Sequence, residues 1–103
     1  MFAIAFDLTV KDAEAHHPKG VSAAYTDIAR TLSTYGFERI QGSVYVSEEE
    51  NLATLTMAMN ALKAMVWFPA TVRDIRAFRI EQWSDFTPYM KGATVPVGKK
   101  TGK

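Results

Sequence analysis

The sequence contains no cysteine among its 103 residues. Disulfides and thiolate metal sites are therefore excluded, and the composition suits a reducing compartment. No apolar run approaches the ~20 residues that a membrane-spanning helix needs, and the N-terminus lacks the basic start and cleavage site of a signal peptide. These absences predict a cytoplasmic protein with no membrane association.

A strong excess of one charge is also missing, since 12 basic and 11 acidic residues give a net charge of +1. This balance is not typical of strongly basic nucleic-acid-binding domains, although a local basic cluster can still bind phosphates. A hydrophobic content of 48% is sufficient for a folded core. The length predicts one domain, which we place at residues 1–90, followed by a flexible Lys/Gly-rich tail over residues 91–103.

Hydrophobic periodicity predicts the order of the secondary-structure elements. Period-two alternation favours a strand over residues 2–8, and spacings of three or four favour helices over residues 20–35 and 49–66. Two short strands are expected to meet at Gln41-Gly42, and a last strand is expected at residues 75–83. The polar segment 11–19 is interpreted as a loop, and Ser47 with Glu50 resembles a capping box.

The resulting βαββαβ order is typical of an α+β, ferredoxin-like fold with two helices on one face of an antiparallel sheet. In the first strand Ala3, Ala5 and Asp7 share the side that faces away from the bulky residues. We expect the sheet face without helices to carry Ala5, Ile75 and Ala77. Pairing of two such faces about a two-fold axis would form a homodimer and bring two copies of Asp7 toward one groove.

Asp7 is the first candidate for chemistry, because it lies where the predicted central strand ends. A carboxylate in that position can bind a metal ion, act as a general acid or base, or be an ordinary exposed turn residue. Asp74 follows Arg73 in the run RDIR, where a salt bridge to Arg73 or Arg76 is the simplest interpretation. Antiparallel pairing could alternatively bring Asp74 beside Asp7 and form a carboxylate pair.

Other polar residues give weaker indications. Ser43 begins the third strand and could hydrogen-bond a phosphate or orient a water molecule, but turn serines are common. His16 and His17 are interpreted as part of a solvated loop, with proton transfer as the alternative. The candidate phosphate-binding side chains are basic and scattered, with a solvated edge as the alternative interpretation: Lys11, Lys19, Arg73, Arg76, Arg79 and the tail lysines.

Several runs resemble the virulence-associated protein D (VapD) family: MFAIAFDL, HPKG, GFERIQGSVYVS, NALKAM and WFPATVRDIRAFRIEQWSDFT. The resemblance extends over about residues 1–90, and the last run is its most specific part. At lower resolution, the strand that ends in Asp7 and the QGSVYV hairpin look like the small CRISPR-associated ferredoxin-like nuclease, CRISPR-associated protein two.

This resemblance implies a bacterial, homodimeric endoribonuclease that acts on single-stranded or messenger RNA. It also implies a role as the toxin of a toxin–antitoxin pair, with a protein antitoxin as partner. Carried over residue by residue, it gives catalytic roles to Asp7, Ser43 and Asp74, and RNA binding is expected at Lys11, Arg73 and Arg76. Asp7 would be the ligand of a divalent metal, Mg²⁺ or Mn²⁺, if one is required.

Two other functions remain open from the sequence. One is a non-catalytic homodimeric interaction module, which the weak net charge favours. The other is a protein that binds RNA without cleaving it, whose affinity would fall steeply with salt. The endoribonuclease prediction differs from both because it requires cleavage that depends on Asp7.

Overall fold

A computed structural model describes residues 1–92 of the chain. Its strands and helices follow the predicted βαββαβ order, with three additional short helices. The elements are β1 (Phe2–Leu8), α1 (Val10–His16), α2 (Gly20–Thr34), β2 (Glu38–Gln41), β3 (Val44–Ser47), α3 (Leu52–Ala64), α4 (Phe68–Thr71), β4 (Val72–Arg79) and α5 (Thr87–Met90).

The four strands form one antiparallel sheet in the order β2-β3-β1-β4. This order places β1 in the centre, with β3 on one side and β4 on the other. It is the strand order of a ferredoxin-like fold, so the predicted α+β fold class is confirmed. Within residues 1–92, none of the helices has the length and hydropathy that crossing a membrane would require.

The hydrophobic core lies between one face of the sheet and the two long helices, α2 and α3. Alternation along β1 sends every second side chain into this core, because successive residues of a strand point to opposite faces. Gly36 ends α2 with a φ of +85°, a conformation that costs glycine little. The main core residues are Phe2, Ile4, Phe6, Leu8, Ala24, Ile28, Leu32, Phe37, Tyr45, Leu55, Ala58 and Leu62.

Three local sequence interpretations were wrong. Most of segment 11–19 belongs to α1, whose good helix formers bury Ala13 against the domain. No capping box forms, because the side chain of Asn51 caps α3 by accepting bonds from the amides of Ala53 and Thr54, at 2.9 and 3.2 Å. Strand β4 begins at Val72, so Asp74 lies inside the strand rather than before it.

The sheet face opposite the helices differs from the prediction at two residues, Ile75 and Ala77. They pair with Phe6 and Ile4, which point into the core, so neither lies on the helix-free face. Phe78 pairs with Ala3 and takes this place on the helix-free face, where it is 45% exposed. The division into a domain at 1–90 and a tail at 91–103 stays a prediction, since residues 93–103 lie outside the described residues.

Candidate active site

The register of the two central strands brings two aspartates together. Asp7 of β1 is the direct antiparallel partner of Asp74 of β4. Directly opposed residues have their side chains on the same face, with Cβ atoms roughly 4.5–5.5 Å apart. Both side chains are exposed on the helix-free face of the sheet. The alternative in which Asp74 approaches Asp7 is therefore what the fold produces.

A β-bulge lies immediately beside this pair. Asp7 pairs with Asp74, but the next residue, Leu8, pairs with Val72, so Arg73 is the extra residue of β4. Bulges of this kind bend a strand and change the direction of its side chains. Arg73 is exposed, and the bulge places it directly before Asp74, at the end of β4 that lies beside Asp7.

Arg76 neutralises one member of the carboxylate pair. Its Nε donates hydrogen bonds to both carboxylate oxygens of Asp74, at 3.2 and 3.1 Å. The salt bridge predicted for Asp74 is therefore present, together with the approach to Asp7. Among residues 1–92, no salt bridge or hydrogen bond engages the Asp7 side chain, so its exposed carboxylate has no internal partner.

The carboxylate pair offers few ligands for a divalent metal. Within the described part of the chain, no group of three or more histidine, cysteine, aspartate or glutamate side chains could hold a metal ion. Mg²⁺, however, is commonly bound through one or two carboxylates together with water and substrate phosphates. Asp7 fits that requirement as a carboxylate without an internal partner, with Asp74, which is bonded to Arg76, opposite it.

Ser43 lies near the pair along the backbone but not on the same face. The amide of Phe6 donates a hydrogen bond to the Ser43 carbonyl oxygen at 3.1 Å, which sets Ser43 across from the residue before Asp7. Ser43 lines a groove with Tyr25 and Thr26 of α2, on the helix side of the sheet. Asp7 and Asp74 thus meet on one face, whereas Ser43 lies at the rim of the other.

The predicted basic side chains also divide into two places. Lys11 is exposed in the first turn of α1, just after β1, and Arg73 and Arg76 are beside the aspartates. Arg79 lies at the opposite end of β4, where its guanidinium is 5.6 Å from the Phe2 ring centroid and 3.7 Å from Glu50. Of these four side chains, the first three lie at the Asp7 end of the sheet.

His17 is not the solvated loop residue that the sequence suggested. It is only 7% exposed, and its Nε2 is 2.7 Å from Oδ2 of Asp27. The backbone amide of Lys19 donates to Nδ1 at 2.9 Å, so Nδ1 is an acceptor and Nε2 carries the proton toward Asp27. The hydrogen bond from His17 lowers the pKa of the Asp27 carboxyl. This histidine connects α1 to α2 and lies apart from Asp7 and Asp74.

The groove beside Ser43 was missed by sequence reasoning. It has a volume of about 370 Å³ and includes side chains from α2, β2 and β3. Tyr25, Arg39 and Tyr45 are far apart in the sequence and show no common spacing. Only the pairing of Arg39 with Tyr45 across the hairpin places them together.

Comparison with known proteins identifies the family of this chain. Residues 1–87 match the family model described as CRISPR associated protein Cas2. The protein named Endoribonuclease VapD homolog from Neisseria gonorrhoeae is 60% identical over 91 residues, which cover 88% of this chain and 99% of that protein. Endoribonuclease VapD from Haemophilus influenzae is 58% identical over the same coverage of both chains, 88% and 99%.

A third relative, Endoribonuclease VapD from Dichelobacter nodosus, is 48% identical over 93 residues, covering 90% of this chain and all of that protein. These matches span nearly the whole of each relative. The predicted resemblance is therefore confirmed. The chain belongs to the VapD proteins, within the family that the matching model describes as CRISPR associated protein Cas2.

Proposed function

We propose that this chain cleaves RNA at the site formed by Asp7 and Asp74. That it is an endoribonuclease follows from its membership of a family whose curated relatives carry that name. The observation that supports the site is the register of β1 with β4, which sets two carboxylates opposite each other. Two opposed acids at the exposed end of a central strand suit proton transfer or cation binding better than they suit packing.

The charges of the acidic and basic side chains give them different roles in the proposed cleavage. A free carboxylate repels the phosphate, so Asp7 acts on the attacking hydroxyl as a general base or on a cation rather than on the phosphate itself. Arg73 and Arg76 are the groups that offset the charge that builds on the phosphoryl oxygens. Arg76 does so while held by Asp74, which fixes the orientation of its guanidinium.

Two routes of attack remain consistent with these residues. Attack by the neighbouring 2′-hydroxyl needs only a base and a stabiliser of negative charge. Attack by water favours a divalent cation, and Asp7 with Asp74 would hold Mg²⁺ or Mn²⁺ there. When bound, such an ion would polarise the phosphate and lower the pKa of the attacking water.

We propose further that the active form is a homodimer joined through the helix-free face. Phe78 exposes 45% of its surface on that face, and Ala5 on the same face is partly exposed. Stacking two such faces about a two-fold axis would cover them and bring both Asp7 side chains toward one groove. The proposed cellular setting is the cytoplasm, with single-stranded or messenger RNA as substrate and a protein antitoxin as regulator.

The proposed cleavage is tested with purified wild type and Asp7→Asn, each incubated with RNA in EDTA, Mg²⁺ and Mn²⁺. We expect the wild type to cut and the variant to lose at least about a hundredfold in rate, the effect typical of losing a general base. Stimulation by a metal in the wild type alone would assign the cation. Equal cleavage by both proteins would place the chemistry elsewhere, and no cleavage by either would favour the interaction module.

The proposed dimer has its own test in Phe78→Asp. A carboxylate at this position would repel its mate across a two-fold axis, so light scattering should report half the wild-type mass. Glu49→Gln, a change at an exposed position beyond β3, is the control for altered charge. A Phe78→Asp protein that keeps the wild-type mass would show that this face is not the contact.

A further inference from the structure

A larger cavity lies at the end of the sheet away from Asp7. It has a volume of about 1080 Å³ and forms where the start of β1, the end of α2, the β2-β3 hairpin and the start of α3 come together. Met1 lines it, and the rise of a strand puts Met1 roughly 20 Å from Asp7. We call it the acidic cleft, and the lining residues that matter here are Tyr35, Glu38, Glu48, Glu49, Met57 and Trp83.

The acidic cleft has an apolar part that the folded domain leaves uncovered. Met57 of α3 is 54% exposed and Trp83, which follows β4, is 47% exposed. Tyr35, at the end of α2, is partly buried beside them in the lining. Large apolar side chains that are exposed singly are common, but a group of them in one concave surface is typical of a binding site. The apolar part of the cleft therefore suits a segment with apolar side chains.

The rim of the acidic cleft carries an excess of negative charge. Three exposed carboxylates, none of which forms a salt bridge among residues 1–92, belong to it: Glu38, Glu48 and Glu49. Their neighbour Glu50 differs, since the Met1 amine is 2.6 Å and Arg79 is 3.7 Å from it. Arg39 also lines the cleft, where its Nε donates to the Gly42 carbonyl oxygen at 2.8 Å. This rim repels the phosphates of RNA and favours a cationic partner.

The chain itself contains a segment with the matching chemistry. The tail, residues 91–103, reads KGATVPVGKKTGK and has no acidic side chain. Two valines, Val95 and Val97, precede the lysines at its end, which are Lys99, Lys100 and Lys103. The match to the family model ends at residue 87, so the tail is a feature of this chain and not of that model. Apolar and basic residues thus follow each other in the tail, as apolar and acidic residues adjoin in the cleft.

The tail is long enough to return to the acidic cleft. The described residues end at Gly92, which is joined to Trp83 of the cleft by a stretch that includes the helix α5. With four residues in a helix, this stretch spans no more than about 26 Å. Residues 93–103 can span about 36 Å when extended. The lysines at the end of the chain are therefore within reach of the three carboxylates.

We propose that the acidic cleft is the docking site of the tail of the same chain. In an extended segment Val95 and Val97 point to one side, and that side covers Met57 and Trp83. The lysines that follow lie against the carboxylates of the rim, and their attraction is of the exposed kind that salt weakens. Docking at this end of the sheet leaves Asp7 accessible, so the proposal does not depend on the RNA cleavage proposed above.

The test uses disulfide formation in the full chain, which has no cysteine of its own. Glu38→Cys with Gly98→Cys places one thiol in the cleft and one in the tail beside Lys99. Asn60→Cys with Gly98→Cys is the matched control, because Asn60 is an exposed residue of α3 outside the cleft lining. With oxidised glutathione, the cleft pair should close within one chain at least about tenfold faster than the control pair, since docking raises the effective concentration of the tail at the cleft.

Charge reversal in the cleft pair tests the role of the carboxylates. Lys99→Glu with Lys100→Glu should slow disulfide formation to the control rate, and adding Glu48→Lys with Glu49→Lys should restore it. Equal rates in the cleft and control pairs, or a rate that ignores the charge reversal, would overturn the proposal. Disulfides that join two chains, seen as dimers under denaturing conditions, would place the tail on a second copy and overturn it as well.

Discussion

Asp7 and Asp27 are aspartates of the same small domain in opposite surroundings. Asp27 accepts a hydrogen bond from a buried histidine at 2.7 Å and has Arg30 at 3.3 Å, so its charge is balanced by a complete network. Asp7 faces a second aspartate, and among residues 1–92 its carboxylate has no salt-bridge partner. The comparison teaches that carboxylates whose partners are all internal act in folding, whereas an unbalanced carboxylate is available for chemistry.

The strongest way to test this comparison is to make the same substitution at both positions. Asp7→Asn should lower the rate of RNA cleavage by about 10²–10⁴-fold while hardly changing the melting temperature. Asp27→Asn should leave kcat of the folded protein unchanged and lower its stability instead. Cleavage assays and thermal unfolding on both variants provide the check. Loss of activity in a folded Asp27→Asn would remove the distinction between the two sites.

The next largest effect is expected at the histidine that holds Asp27. His17→Ala leaves the Asp27 carboxylate and the Lys19 amide without their partner, which should cost about 1–3 kcal/mol of unfolding free energy. For a domain of this size each kcal/mol corresponds to about 4–8 °C in melting temperature. His16→Ala, on the exposed neighbour, should change stability by less than about 0.5 kcal/mol. Equal effects from the two histidines would contradict the burial and bonding of His17.

A smaller effect should sharpen the assignment of Arg76. Arg76→Gln removes an exposed ion pair, which is worth only about 0–1 kcal/mol in stability, but it also removes one proposed phosphate contact. We expect RNA affinity to fall several-fold and the slope of log K against log salt to become shallower by about one unit. Arg79→Gln removes the same charge from the far end of β4. If both variants bind RNA alike, the phosphate does not lie near Asp74.

The smallest expected effect concerns pH. The hydrogen bond from His17 lowers the pKa of Asp27 in the folded protein below its ordinary value of 3.8. The ionised form is thus favoured by folding, and this stabilisation is present above pH 3.8 and is lost as the pH falls through the lower folded pKa. Glu50 and Asp85 also have lowered pKa values, so the relevant quantity is the difference between wild type and Asp27→Asn. That difference in unfolding free energy should shrink as the pH falls below about 5, where such carboxylates begin to take up protons.

The hydrophobic pattern predicted secondary structure correctly in segments where a single strand or helix period dominates. The β1 alternation and the α2 spacing predicted both elements to within a residue, because burial on one face demands that repeat. The pattern failed at α1, where only Ala13 is buried and polar helix formers resemble a loop. It also failed in β4, where the alternation was right but the face was not: the register with β1 sets Ile75 and Ala77 opposite Phe6 and Ile4, on the core face.

For the candidate site as well, some features follow from the sequence and others only from the tertiary structure. The sequence by itself determined the strand that ends in Asp7, the order of elements and the family, since these depend on local periodicity and residue identity. The approach of Asp74 to Asp7, the separation of Ser43 from both, and the groove of Tyr25, Arg39 and Tyr45 were decided only by the tertiary structure. Register and bulges place residues distant in sequence beside one another, and these depend on how whole strands pair rather than on any one segment.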